Sequence, residues 1–333
     1  MSKLKRIVPV SLAIVIILAA VVLGDGSPLG TPKPENMPLP TTISSLENTQ
    51  LPSKKPTKAM LQSPALPTPN MEGAVAVSGY GIKLFYQCFG EGTPTIIVMA
   101  AAGDKPIDTQ TWNAVIEGVS STARICIYHR LPVRTVQNGA EQLHLLLTTA
   151  SIPGPYIIVA HSLGGWYARV FTRLYPGDVV GMILVDTTPT FPEPLIIYAT
   201  AYPTYSAVES ALITKNRISE ADIDALIPPP SLEGMEALDM RASSEQVRQA
   251  GSFGDLPLIV IAHTTGPEDI RDVDPVAQEQ FAAMLLRVRA DLATLSSRGV
   301  FIQATTTKHF ISEYEPQIII DAILQMVEEF RKQ

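Results

Sequence analysis

From about Met71 to the end of the chain, short apolar runs alternate with longer stretches whose apolar residues recur at helical spacing. Eight runs have the length and the β-branched content of strands: Ala74 to Val77, Lys83 to Cys88, Thr95 to Met99, Arg124 to Tyr128, Tyr156 to Val159, Met182 to Val185, Leu258 to Ala262 and Val300 to Gln303. Helical patterns fall between them at Thr111 to Val119, Ala140 to Thr149, Gly165 to Tyr175, Pro275 to about Leu295 and Gln317 to Arg331. Asp274 and Pro275 suit the start of the fourth helix, the acid as cap and the proline at the first helical position. Strands alternating with helices predict an α/β fold around a largely parallel sheet.

Two different segments precede this body. Lys3, Lys5 and Arg6 lead into Ile7 to Leu23, an uncharged apolar run interrupted only by Pro9 and Ser11. It reads as a membrane anchor or an export signal, at the short end for a bilayer span and longer than most signal cores. Val22-Leu23-Gly24 is a poor cleavage site and no cysteine follows to take a lipid, so residues 1–24 are expected to stay as an anchor. Secretion after cleavage is the alternative. The basic flank would remain in the cytoplasm and the body would lie outside, membrane-anchored. Residues 25–70 are rich in proline, serine and threonine (Pro28, Pro32, Pro34, Pro38 and six more prolines to Pro69) and predict a disordered tether. Residues 71–333 form the folded domain.

Composition adds limits. The chain has 333 residues, 46% hydrophobic and 17% charged, enough to enclose a substantial core. Its formal net charge of -7 gives no reason to expect a nucleic-acid partner.

The chemistry concentrates after the fifth predicted strand, where Tyr156 to Val159 runs into Ala160-His161-Ser162-Leu163-Gly164-Gly165. This reads as a nucleophile elbow, usually written G-x-S-x-G, with Ala160 in place of the first glycine. The small residues let neighbouring backbone approach a strained strand-to-helix corner. The following helix would aim its free N–H groups and positive dipole end at the serine.

From roughly Val77 onward the chain resembles the α/β-hydrolase superfamily, in the branch of small bacterial esterases and lipases. The resemblance is carried by Gly90-Glu91-Gly92-Thr93-Pro94, Pro153-Gly154-Pro155, the Ser162 elbow, Leu184-Val185-Asp186, and Lys308-His309-Phe310-Ile311 near Pro316. It implies an eight-stranded, mostly parallel sheet flanked by helices, with a helical lid over residues 190–253 between the sixth and seventh strands. Tyr198, Tyr202 and Tyr205 of that segment could line an acyl pocket or simply pack on the body.

A serine hydroxyl needs a base, and the base an orienting acid. The superfamily's order of serine, acid, histidine makes Ser162 the nucleophile and His309 the base, since His309 follows the last strand and precedes the C-terminal helix. His161 is expected to pack and hydrogen-bond beside the turn, His144 to be structural, and His129 and His263 are ambiguous. Two acids satisfy the order: Asp186, at the end of the sixth strand, and Asp269, after the seventh. Asp186 is preferred because it abuts a strand. The oxyanion donors implied are the N–H groups of Leu163 and of Ala102, the latter where relatives carry His-Gly and this chain has Ala100-Ala101. Tyr128-His129-Arg130 also departs from the relatives' Tyr-Asp-Arg.

Cys88 and Cys126 lie on strands that neighbour each other in the superfamily's sheet. A disulfide is implied, with two buried thiols as the competing reading. No C-x-x-C pair or H-E-x-x-H helix suggests a metal, and no cofactor is called for. The expected activity is that of a serine hydrolase (carboxylesterase or lipase-like) acting on a small-molecule acyl substrate. A non-catalytic domain of the same fold that binds a ligand or partner is the rival, and acyl transfer would share the same triad.

Overall fold

The computed structural model describes residues 66–77, 82–101, 109–188, 238–263, 283 and 286–333. The expected anchor, nearly all of the tether, Ala102, Asp269 and residues 190–237 of the expected lid lie outside them. Among the described residues no helix is long and apolar enough to cross a membrane.

Eight strands form one sheet: β1 (Met71–Val77), β2 (Ile82–Phe89), β3 (Thr95–Met99), β4 (Ile125–Tyr128), β5 (Tyr156–His161), β6 (Val179–Val185), β7 (Leu258–Ala262) and β8 (Gly299–Gln303). Their order is β1-β2-β4-β3-β5-β6-β7-β8. β2 runs antiparallel to both neighbours and every other pairing is parallel. The eight-stranded, mostly parallel α/β architecture expected from the sequence is therefore present.

Every residue of β3, β4, β5 and β7 is buried, which a parallel sheet covered on both faces requires. One face packs on α2 (Val136–Thr149), α3 (Gly164–Leu174) and α4 (Met240–Ala250). The other packs on α1 (Asn113–Ser120) and, beyond the short α5 (Ile311–Tyr314), on α6 (Pro316–Arg331). Trp112 and Trp166, one in each apolar layer, are completely buried.

Three differences from the sequence reading have local causes. α2 begins at Val136, a turn before the expected Ala140, because Thr135 caps it by accepting the Asn138 N–H at 3.4 Å. Gly139, a residue that weakens a helix, is placed where a Cβ would sit 2.2 Å from the Tyr167 ring, so its absence lets α2 and α3 close together. The end of the expected lid belongs to the body. α4 lies across α2 and α3, Ser243 Oγ and Gln246 Oε1 accept the Val136 and Gln137 N–H groups, and Arg169 Nη2 donates to the Val247 carbonyl. Those acceptors satisfy first-turn donors that α2 cannot use itself. Finally, Leu66 packs against the core and the Asn70 N–H donates to the Cys88 carbonyl at 2.8 Å, so folded structure begins ahead of Met71.

Cys88 and Cys126 face each other directly across the β2–β4 pairing and are joined in a disulfide. Both are buried, and the bond fastens the antiparallel edge of the sheet to its parallel centre.

Candidate active site

The strand carboxyl ends of β5, β6 and β7, with the loop after β8, meet at one rim of the sheet, the usual location of sites in open α/β sheets. β5 ends at His161, and Ser162 takes a left-handed φ of 54° before α3 starts. A non-glycine residue there is held only by its surroundings. The Ser162 N–H donates to the Val185 carbonyl at 3.0 Å, and its own carbonyl accepts from Gly165 and Thr188 at 3.1 and 3.2 Å. Gly164 is required on steric grounds: a Cβ there would lie 2.2 Å from the Met99 carbonyl oxygen. The turn is thus a tight strand-to-helix corner with the serine at its tip. The Ser162 hydroxyl lies 3.5 Å from the Thr188 hydroxyl, and Trp166 Nε1 pins the Thr188 carbonyl at 2.8 Å.

Asp186 leaves β6 beside the elbow, its φ also left-handed at 45° and its N–H on the Ile261 carbonyl at 2.7 Å. Its carboxylate is fully enclosed and makes four contacts to three of the described residues. His309 Nδ1 donates to Oδ2, and His263 Nδ1 meets the same oxygen at 2.7 Å. The His263 N–H reaches Oδ1 at 3.4 Å, and Arg289 Nε lies 3.2 Å from Oδ1 as an ion pair without hydrogen-bond alignment. Burial alone would push the carboxyl's pKa up; the Arg289 charge and the two imidazole hydrogen bonds outweigh it and hold the group well below the usual carboxylate range.

His309 sits between β8 and α5 on a loop fixed by Glu315, whose Oε2 accepts the N–H groups of Thr305 and Thr306 at 2.8 Å each. His161, next to the serine, donates Nε2 to the His309 carbonyl at 2.9 Å, and the two rings lie 4.6 Å apart. The residue expected to pack and hydrogen-bond beside the turn thus ties the His309 loop to the elbow. Burial, followed by the His309 imidazole alongside it, lowers the His161 pKa to about 3. His144 stacks on Tyr175 away from this rim, in keeping with a structural role.

Of the residues named from sequence, Ser162, Leu163, Asp186 and His309 are described, and all four lie at this rim. Leu163 is the first residue of the turn into α3. Arg130 matches the arginine of the relatives' Tyr-Asp-Arg but was given no role from sequence, and Arg289 carried no motif signal. Arg130 extends from the loop after β4, donating Nη1 to the Ala100 carbonyl at 2.8 Å and Nη2 to the Ala101 carbonyl at 3.0 Å, and lies 4.4 Å from the Tyr167 ring centroid. Arg289 lies on helical backbone over residues 286–291, the described part of the expected fourth helix. Asp186, His263 and His309 bring donor atoms within 4.8 Å of one another. Both imidazole Nδ1 atoms, however, are turned onto the carboxylate itself, and Arg289 adds positive charge, so the set is a hydrogen-bonded cluster unsuited to a cation.

No family model matches the chain. It is 21% identical over 243 residues to YqjL, an uncharacterized protein of Bacillus subtilis, covering 70% of this chain and 83% of that one. It is 22% identical over 270 residues to an AB hydrolase superfamily protein of Gibberella zeae, covering 66% and 82%. Among solved structures, haloalkane dehalogenase DbeA of Bradyrhizobium elkani superposes with a TM-score of 0.50 at 14% identity, covering 79% of this chain and 99% of that one.

Proposed function

The chain has the α/β-hydrolase fold, and on that premise we propose that it is a serine hydrolase cleaving a carboxylic ester or a related acyl compound through an acyl-enzyme. The carrying observation is the His309–Asp186 hydrogen bond at the rim where Ser162 is held at positive φ. The assignment of the acid to Asp186 rests on that bond.

The reading requires the Ser162 hydroxyl to turn from Thr188 to His309 Nε2. Since Nδ1 of His309 donates to Asp186, Nε2 carries the lone pair that takes the proton as Oγ attacks the acyl carbon. The backbone N–H of Leu163, at the positive end of α3, is the first oxyanion donor, and that of Ala102 is assigned as the second. Collapse of the tetrahedral intermediate returns the proton from His309 to the leaving alcohol. Water then enters by the same route and releases the acid.

We assign the body to the extracytoplasmic side, held there by residues 1–24. The Ile7 to Leu23 run with its basic flank supports this, as does a disulfide in the folded domain, which suits an oxidising compartment.

A fluorophosphonate probe and a short-chain p-nitrophenyl ester test the activity. The wild type is expected to be labelled on the peptide containing Ser162 and to hydrolyse the ester, while Ser162→Ala loses the label and His309→Ala loses roughly a thousandfold or more of kcat. A folded wild type that neither labels nor turns over would leave a ligand-binding domain as the better reading.

A further inference from the structure

We propose that His263 is a positioning residue for the acid: its Nδ1–H shares Asp186 Oδ2 with His309 and so fixes the carboxylate that orients the base. This rests on the serine-hydrolase reading for its catalytic consequence and on geometry alone for the hydrogen bond.

An ionised carboxylate only accepts hydrogen bonds, so a contact of 2.7 Å from His263 Nδ1 to Oδ2 requires the proton on that nitrogen. Arg289 Nη1, 3.5 Å from the same nitrogen, is a donor too and cannot be what Nδ1 serves. His263 is buried, stands at the end of β7, and also offers its backbone N–H to Oδ1. It therefore clamps both oxygens of a carboxylate whose remaining side-chain partners are His309 and Arg289.

Two imidazole N–H groups on one oxygen, with a backbone N–H and a guanidinium beside the other, hold the carboxylate in a single orientation toward the base.

Two variants separate this role from packing. His263→Asn keeps an N–H donor near the position of Nδ1, whereas His263→Leu keeps the bulk and loses the donor. With the same p-nitrophenyl ester, His263→Leu should lower kcat about tenfold with KM little changed, and His263→Asn should stay close to the wild type. Equal kcat values for the two variants, or a wild-type kcat in His263→Leu, would overturn the proposal. A second readout needs no turnover. In the 15N-histidine-labelled full chain, both His263 and His309 should be Nδ1–H tautomers with low-field protons, and His263→Leu should shift the His309 proton further downfield. A His263 that carries its proton on Nε2 sinks the proposal even if the chain hydrolyses nothing, while a wild type with the expected tautomers and no turnover sinks only the hydrolase reading.

Discussion

His161 links stability to the architecture of the site. It is almost completely buried, its Nε2 donates to the His309 carbonyl, and its pKa is lowered to about 3 by burial first and by the neighbouring imidazole second. An unfolded histidine titrates near 6.5, so between about 6.5 and 3 the unfolded chain binds a proton that the folded chain refuses. Stability from this residue is complete above the unfolded value and is lost as pH falls through that window, at about 1.4 kcal/mol per pH unit. Urea unfolding should therefore show the wild type losing roughly 2 kcal/mol between pH 6.5 and 4.5 through His161. His161→Gln, which keeps a donor for the His309 carbonyl but cannot titrate, should flatten the profile by that amount; parallel profiles would remove His161 from the account. That Ser162 and His309 would lie at one rim was legible in the chain, because a strand-to-helix turn and a late histidine loop leave local marks. The partner of His161 was not, since it is a backbone carbonyl 148 positions away. His263 was equally silent: its partner Asp186 lies on another strand, and only the β6–β7 register brings the two together.

Arg130 couples three elements through one side chain. Its two terminal nitrogens hold the last described carbonyls of the loop after β3, its backbone follows β4, and its guanidinium faces Tyr167 of α3. The substitution of alanines for His-Gly in the β3 loop removes glycine's conformational freedom, and a bidentate clamp from the neighbouring loop is a direct means of holding the backbone that leads to the assigned oxyanion donor. Lysine retains the charge but cannot grip two carbonyls in one plane. Arg130→Lys is thus expected to lower kcat on the test ester about tenfold, equivalent to about 1.4 kcal/mol, with KM little changed; an undiminished kcat would show that the loop needs no brace. The element pattern itself was largely readable, because buried parallel strands are near-continuous apolar runs and the amphipathic helices alternate with them. Where it misled, packing had overruled local preference. The glycine inside α2 argues against helix until the Tyr167 ring above it is known, and α4 resembled part of a lid until its side chains were found capping α2. In the Arg130 segment the arginine keeps the relatives' pattern and only His129 departs from it, and neither fact told that the side chain would reach the carbonyls of the β3 loop.

The disulfide connects the fold as a whole with the compartment proposed for it. Cys88 and Cys126 are 38 positions apart, and the sequence left open whether they pair, because strand adjacency does not guarantee a bridgeable pair of side chains; the direct register of β2 against β4 supplies it. Closing a loop of this length restricts the unfolded chain by about 4 kcal/mol in the chain-entropy account, a large share of the roughly 5–15 kcal/mol that holds an ordinary domain together. The bond is also buried, so a reductant reaches it mainly when the sheet edge opens. If residues 1–24 deliver the body outside the cytoplasm, the protein should fractionate with membranes, carry no titratable thiol, and be released by protease added to intact cells that cuts the proline-rich segment. The released body should then unfold at a urea midpoint well above that of the same body after denaturation, reduction and thiol blocking, by the equivalent of about 4 kcal/mol. Two free thiols in protein recovered from a soluble internal fraction would contradict the placement and the bridge together. Membrane-bound protein with free thiols would contradict the bridge alone, and the antiparallel edge of the sheet would then depend on its backbone ladder and apolar packing.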